Sequence, residues 1–142
     1  MTQTKTRAGS HVSSDTPTAR GTAFSLLAQA RTVLADAGQT TEAGERFRLA
    51  HLSALRTAAA VSAQRGRPAS ARRRLMNVWV LLERVAPEHA EWAAYFAAGA
   101  SVRVAIEAGA VSAVSARAAD DQLRAASEFL SLVEDSLGLL AA

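Results

Sequence analysis

The sequence predicts an all-α protein, an up-and-down bundle of four long helices and one short helix. Hydrophobic residues make up 49% of the 142 positions, whereas aromatic residues make up only 5%, so the core must be built mainly from alanine, leucine and valine. Alanine is the strongest helix former and is poor in strands. Apolar residues also recur every three to four positions in several segments, which is the period of one helix face. Together these observations favour a helical bundle.

Residues 1–20 are rich in serine, threonine and glycine and contain almost no apolar side chains. Such a composition cannot offset the entropy lost on ordering. We therefore expect a disordered N-terminal tail over 1–20 and a single helical domain over 21–142. No apolar run follows the basic residues near the N-terminus, and the longest apolar stretch is about half the ~20 residues needed to span a bilayer. These patterns predict a cytoplasmic protein with no membrane partner.

The first two helices follow this tail. The first is expected over 22–37 and should end at Gly38, because glycine is favoured just beyond a helix C-terminus. The second and longest is expected over 41–64, with Thr40 or Thr41 as its N-cap. Its apolar stripe consists of Phe47, Ala50, Ala54, Leu55, Ala58 and Val61.

Three further helices complete the bundle. Asn77 is a good capping residue and predicts a short third helix over 78–85. Proline is favoured in the first turn of a helix, which predicts a fourth helix over 87–109. The last helix should begin after Ser112 or Ser115, both of which can cap it. Trp92 and Phe96, one turn apart on the fourth helix, are interpreted as core residues.

Positive charge is concentrated in one connecting segment. Five arginines and no acidic residue lie between positions 65 and 74, whereas the chain outside this segment and the tail carries 8 basic and 12 acidic side chains. Such a segment is either a solvated connector or a contact for the phosphates of RNA or another anionic partner. The candidate nucleic-acid-binding residues are Arg65, Arg67, Arg72, Arg73 and Arg74.

The residues give little support for metal or cofactor chemistry. Cysteine is absent, and His11, His51 and His89 are far apart with no second ligand at helical spacing. His11 falls in the tail, and His89 is expected at the surface near a helix start. Glycine-rich phosphate loops and nucleophile-elbow motifs are also missing. We expect no metal site and no cofactor.

One short motif remains, an arginine followed by four residues and a histidine, from Arg46 to His51. Its surroundings resemble a small actinobacterial branch of the HEPN superfamily, over about residues 22–138. The resemblance is carried by Gly44 to Arg56, the arginine-rich segment, Asn77-Val78-Trp79, Val85-Ala86-Pro87-Glu88, Glu91-Trp92-Ala93-Ala94 and Ala119-Asp120-Asp121.

This resemblance implies a compact helical bundle that often forms homodimers. Many HEPN proteins are metal-independent ribonucleases in which Arg-x₄₋₆-His motifs from two protomers meet in one cleft. Carried over to this chain, His51 would act as general acid or base and Arg46 would stabilise charge on the phosphate. Arg48 would be an auxiliary phosphate contact.

The sequence departs from the ribonuclease pattern in two ways. Phe47 follows the arginine, where the ribonucleases usually have a polar residue. The motif also lies on the second helix, whereas in the ribonucleases it tends to lie on a later one. Apart from these departures, a five-residue offset turns about 140° around a regular helix, so Arg46 and His51 do not share a face unless the helix is distorted. Alternative interpretations are a core His51 that bonds a carbonyl or carboxylate, and an Arg46 paired with Glu42.

The sequence is therefore compatible with two functions. The first is a homodimeric HEPN-like module that acts by binding, in a regulatory or scaffold role, and contacts RNA or another anionic partner. The alternative is a metal-independent endoribonuclease that uses Arg46 and His51. The balance of these observations is against an enzyme.

Overall fold

A computed structural model gives the fold of residues 17–66, 77–110 and 114–138. Five α-helices and one 3₁₀ turn make up these described residues. Their bounds are α1 Pro17–Gln39, α2 Ala43–Arg65, α3 Val78–Val85, the 3₁₀ turn Pro87–His89, α4 Ala90–Glu107 and α5 Ala116–Ser136. The predicted all-α bundle of four long helices and one short helix is confirmed. No helix among the described residues has both the length and the hydropathy needed to cross a membrane.

The first helix is longer at both ends than predicted. α1 begins at Pro17, so residues 17–20 belong to the helix and not to the predicted tail, whose first sixteen residues lie outside the described part. Proline is tolerated in a first turn because its missing N–H would have no helical acceptor there. The Arg20 guanidinium lies 5.1 Å from the centre of the Phe24 ring. Phe24 is partly exposed, whereas the neighbouring Ala23 is buried in the core.

The junction between α1 and α2 also differs from the prediction. Gly38 lies inside α1, and the cap of α2 is Glu42, whose carboxylate accepts hydrogen bonds from the backbone N–H groups of Gly44 at 3.0 Å and Glu45 at 2.7 Å. Thr40 was a predicted cap, but its hydroxyl donates back to the Asp36 carbonyl. The negative charge of Glu42 also complements the positive end of the helix dipole.

The remaining helix ends agree more closely with the sequence. Asn77 caps α3 by accepting a hydrogen bond from the Trp79 N–H at 2.8 Å, and Ser115 caps α5 by accepting one from the Ala118 N–H at 3.0 Å. Gly66 ends α2 with a positive φ of 83°, a conformation that glycine adopts without strain. The predicted fourth helix is a 3₁₀ turn followed by α4.

α2 is the central helix, because it contacts each of the other four. A hydrogen bond from the Ser53 hydroxyl to the Ala30 carbonyl, 2.8 Å long, joins it to the antiparallel α1. α5 runs parallel to α2: Arg46 near the start of α2 pairs with Asp120 near the start of α5, and the last turns of both helices line the same small cavity. The core is formed mainly by alanine and leucine, as predicted, with a cluster of aromatic rings at one side.

Replacement of Glu42 tests the cap that the structure assigns. Glu42→Ala should lower the free energy of unfolding by about 1 kcal/mol, because two backbone donors at the start of α2 lose their acceptor. Thr41→Ala is the matched control, since Thr41 is the neighbouring exposed residue and one of the two caps that the sequence predicted. Urea denaturation followed by circular dichroism measures both variants. A larger loss in Thr41→Ala than in Glu42→Ala would contradict the assignment.

Candidate functional site

His51 is fully buried on α2, at the centre of the aromatic cluster. Its Nε2–H donates to the backbone carbonyl of Phe96 at 2.8 Å. Its Nδ1 accepts a hydrogen bond from the Nε–H of Arg103 at 3.0 Å. The carbonyl can only accept and the guanidinium can only donate, so the two partners fix the neutral imidazole with its proton on Nε2. Of the two interpretations of His51, the structure has the core imidazole bonded to a carbonyl.

This environment lowers the pKa of His51. The main cause is burial, which penalises the charged imidazolium, and the neighbouring Arg103 charge acts in the same direction. The hydrogen bond to the Phe96 carbonyl and the charge of Glu107 oppose the shift. Glu107 is close because its carboxylate pairs with Arg103 at 2.8 Å. Protonation of Nδ1 would replace an accepted hydrogen bond with two N–H groups facing each other, so the neutral imidazole is favoured at pH 7.

Aromatic rings enclose the imidazole on several sides. Phe47 is stacked parallel to it at 6.3 Å, and Trp79 and Phe96 meet it edge-on at 5.7 and 6.3 Å between ring centres. Gly99 on α4 completes the enclosure: a Cβ atom there would lie 3.2 Å from Phe47 and 3.4 Å from the His51 ring. The small residue lets α4 come close enough for its Phe96 carbonyl to reach His51.

Arg46 is engaged away from the imidazole. Its Nε–H and Nη2–H donate to the Thr40 carbonyl at 3.0 and 2.8 Å, and its Nη1 forms an ion pair with Asp120. The alternative partner considered from the sequence was Glu42, but Glu42 serves as the cap. Arg46 therefore ties the α1–α2 connection to the start of α5.

Arg48, the predicted auxiliary contact, is paired within its own helix. Its Nε and Nη2 groups donate to the two carboxylate oxygens of Glu45 at 3.0 and 2.8 Å. This hydrogen bonding lowers the pKa of Glu45. The structure thus brings neither Arg46 nor Arg48 into hydrogen-bond contact with His51, and the arginine that does contact it is Arg103.

The arginine-rich segment is described only at its first residue. Arg65 donates to the Val85 carbonyl at 3.0 Å and forms an ion pair with Glu88. It therefore holds the end of α3 against the end of α2, and its hydrogen bond lowers the pKa of Glu88. The other four candidates, Arg67, Arg72, Arg73 and Arg74, lie outside the described residues.

His89 was expected at the surface, but it is buried, with 7% of its area exposed. The 3₁₀ turn that precedes α4 points its ring into the core, where it meets Phe129 edge-on at 5.6 Å. Burial lowers the pKa of His89. Sequence reasoning missed this because it treated residues 87–89 as the first turn of a regular helix.

Arg103 and Asp120 are the polar residues at this centre that the sequence did not identify. Arg103 is 52 residues from His51 and Asp120 is 74 residues from Arg46. The four-residue spacing of Arg103 and Glu107 was a visible sign of an ion pair, but the position of α4 against α2 is needed to connect it with His51. Within the described residues, no three histidine, aspartate or glutamate side chains are grouped as metal ligands.

The chain matches a known protein family. A model of the SAV_6107-like HEPN family matches residues 37–134, which include α2, α3, α4 and most of α5. No curated protein and no solved structure matches the chain.

The buried histidines predict a pH dependence of stability. Both have a lowered pKa in the folded protein, so the unfolded chain binds protons first as the pH falls below about 6.5. The free energy of unfolding should therefore decrease from pH 7.5 to 5.5, by at most about 1.4 kcal/mol per pH unit for each histidine. Urea denaturation at intervals of half a pH unit measures this slope.

Single variants separate the two contributions. His51→Gln and His89→Gln should each reduce the slope, and the double variant should be nearly flat over this range. Either substitution also destabilises the fold by an amount that does not depend on pH. This amount does not change the slope of the free energy of unfolding against pH. An unchanged slope in His51→Gln would mean that the folded protein accepts a proton on His51.

Proposed function

Because this chain belongs to the SAV_6107-like HEPN family, we propose that it is a non-catalytic HEPN module that functions by binding a partner, and that it acts as a homodimer. The observation that carries this proposal is the state of His51. A general acid or base must reach the proton that it transfers, directly or through one water molecule. His51 has no exposed area, and both ring nitrogens are already hydrogen-bonded inside the protein.

The arginines of the motif support the same proposal. A phosphate-stabilising arginine needs donors that point to where charge develops. The donors of Arg46 are directed to Thr40 and Asp120, and those of Arg48 to Glu45. Both side chains therefore have structural partners, and the motif is explained without a substrate.

The outward face of α4 supports a homodimer. Only Ala93, Phe96 and Gly99 of this helix are buried, although most of its sequence is apolar. Between the exposed carboxylates Glu91 and Glu107, the exposed positions of this helix include five small or apolar residues: Ala94, Ala97, Ala98, Ser101 and Val104. Small residues allow two helices to approach closely, because interaxial distance depends on the side chains at the contact. We assign this face to α4 of a second copy.

The arginine-rich segment supports an anionic partner such as RNA. The segment contains Arg67, Arg72, Arg73 and Arg74 with no acidic residue, whereas Arg65 has partners within the fold. Contacts of this kind bind phosphates without reading base sequence. The expected binding is therefore insensitive to RNA sequence and strongly weakened by salt.

The dimer is tested by mass in solution. Wild-type protein should have twice the mass of one chain by sedimentation equilibrium, and Ala98→Glu should have the mass of one chain, because a buried unpaired carboxylate is costly. Ala28→Glu, at an exposed position of α1, is the matched control and should remain a dimer. A monomeric wild-type protein, or dissociation of both variants alike, would overturn this part of the proposal.

The alternative function, a metal-independent endoribonuclease, is tested with a labelled RNA pool in EDTA. We expect intact RNA, bound with an affinity that falls as salt rises. Replacing Arg67, Arg72, Arg73 and Arg74 with glutamine should abolish this binding. Replacing Arg56, Arg84, Arg117 and Arg124 with glutamine removes the same amount of charge and should largely preserve RNA binding.

Cleavage would favour the alternative. Cleavage by wild-type protein that is lost in both His51→Ala and Arg46→Ala, with each variant folded by circular dichroism, would establish the ribonuclease. Retention of binding in the variant of the arginine-rich segment would instead refute that segment as the RNA contact.

A further inference from the structure

A groove of about 530 Å³ lies between α4 and α5, away from His51. We call it the Trp92 groove. It is lined by Glu91, Trp92 and Tyr95 of α4 and by Asp121, Arg124, Ala125 and Glu128 of α5. The volume is within the range of small-ligand sites in proteins. Neither the motif nor the arginine-rich segment involves these residues.

The aromatic side chains of the groove are held in place by the core. Trp92 stacks on Phe96 at 6.0 Å and on Phe129 at 5.4 Å between ring centres. Tyr95 meets Phe96 edge-on at 5.2 Å and is 43% exposed. These rings lose little conformational freedom when a ligand binds, because core packing already orients them. The groove therefore offers preformed aromatic surface to a ligand.

The charge of the groove is negative. Glu91, Asp121 and Glu128 contribute three carboxylates, whereas Arg124 contributes the one positive charge. Arg124 pairs with Asp121 at 3.0 Å. Within residues 17–66, 77–110 and 114–138, Glu91 and Glu128 form no ion pair. Partial burial and the charge of Asp121 raise the pKa of Tyr95, so its phenol stays neutral and adds no further negative charge at pH 7.

Aromatic rings beside unpaired carboxylates match an organic cation. A cation near the face of tryptophan or tyrosine is attracted by the ring quadrupole, and the carboxylates supply the opposite charge. A guanidinium fits better than an ammonium, because it is planar, can stack on a ring and can bond a carboxylate with two parallel N–H groups. The same three carboxylates repel phosphates, so nucleic acid is not the ligand expected here.

We propose that the Trp92 groove binds an arginine side chain presented by a basic segment of a partner protein. The guanidinium lies over Trp92 and Tyr95, and its N–H groups bond Glu91 or Glu128. Charge complementarity identifies this occupant, since one groove contains two unpaired carboxylates and only one arginine of its own. The proposal is independent of the homodimer and of the anionic partner.

Peptide binding tests the proposal. A fluorescein-labelled peptide of alternating arginine and serine is titrated against the full chain, and fluorescence anisotropy is recorded at low and physiological salt. Parallel peptides carry citrulline or lysine in place of arginine. The arginine peptide should bind most tightly, the lysine peptide several-fold more weakly, and the uncharged citrulline peptide not measurably.

Variants locate the binding on the protein. Glu91→Gln with Glu128→Gln should weaken binding of the arginine peptide by about tenfold, since both carboxylates that the guanidinium can bond lose their charge. Glu83→Gln with Asp135→Asn removes the same charge at exposed positions outside the groove and should change the affinity less than about twofold. Tyr95→Leu keeps an apolar side chain at a partly exposed position and should weaken binding several-fold through the loss of the cation–π contact.

Three results would overturn the proposal. If the double variant in the groove and the control double variant weaken peptide binding equally, the peptide is attracted diffusely to an acidic surface. Equal affinity for arginine and citrulline peptides would remove the role of charge. Binding that appears only when Arg67, Arg72, Arg73 and Arg74 are replaced by glutamine would make this chain's own segment the occupant in place of a partner.

Discussion

The hydrogen bond between the His51 imidazole and the Phe96 carbonyl is the contact on which the arrangement of this bundle depends. It joins the central helix α2 to α4 through a polar group in apolar surroundings, where an unpaired nitrogen would cost about 1–3 kcal/mol. Arg103 satisfies the second nitrogen, and Gly99 permits the close approach of the two helices. From this point, Phe96 stacks on Trp79 of α3 and packs at a tilt against Phe129 of α5.

The arginines of the described residues act mainly as connectors between elements. Arg31 pairs with Glu134 and joins α1 to α5, Arg46 joins the α1–α2 connection to α5, and Arg65 joins the end of α2 to the end of α3. Each also bonds a carbonyl or a second carboxylate oxygen, which gives these pairs more defined geometry than a single surface contact. In this fold, arginine content is partly a structural requirement and not only a sign of an anionic partner.

α4 carries two surfaces with opposite properties. Its outward face of small residues is uncharged and suits another helix, whereas its first turns contribute Glu91, Trp92 and Tyr95 to an acidic, aromatic groove with α5. The buried side of α4 is narrow, because Ala93, Phe96 and Gly99 are its only fully covered positions. The exposed positions of α4 are those used by the interactions proposed above.

The sequence by itself determined the helical class, the position of α3 with its Asn77 cap, and most of the alanine- and leucine-rich core, because helix periodicity and capping are local properties. It also identified the HEPN family from short motifs. It did not determine the partners of Arg46 and His51. Arg46 pairs with Asp120, which is 74 residues away, and His51 bonds the Phe96 carbonyl, which is 45 residues away. Only the tertiary structure decided that His51 is enclosed and neutral, because burial depends on how α4 packs across α2 and not on the spacing within α2.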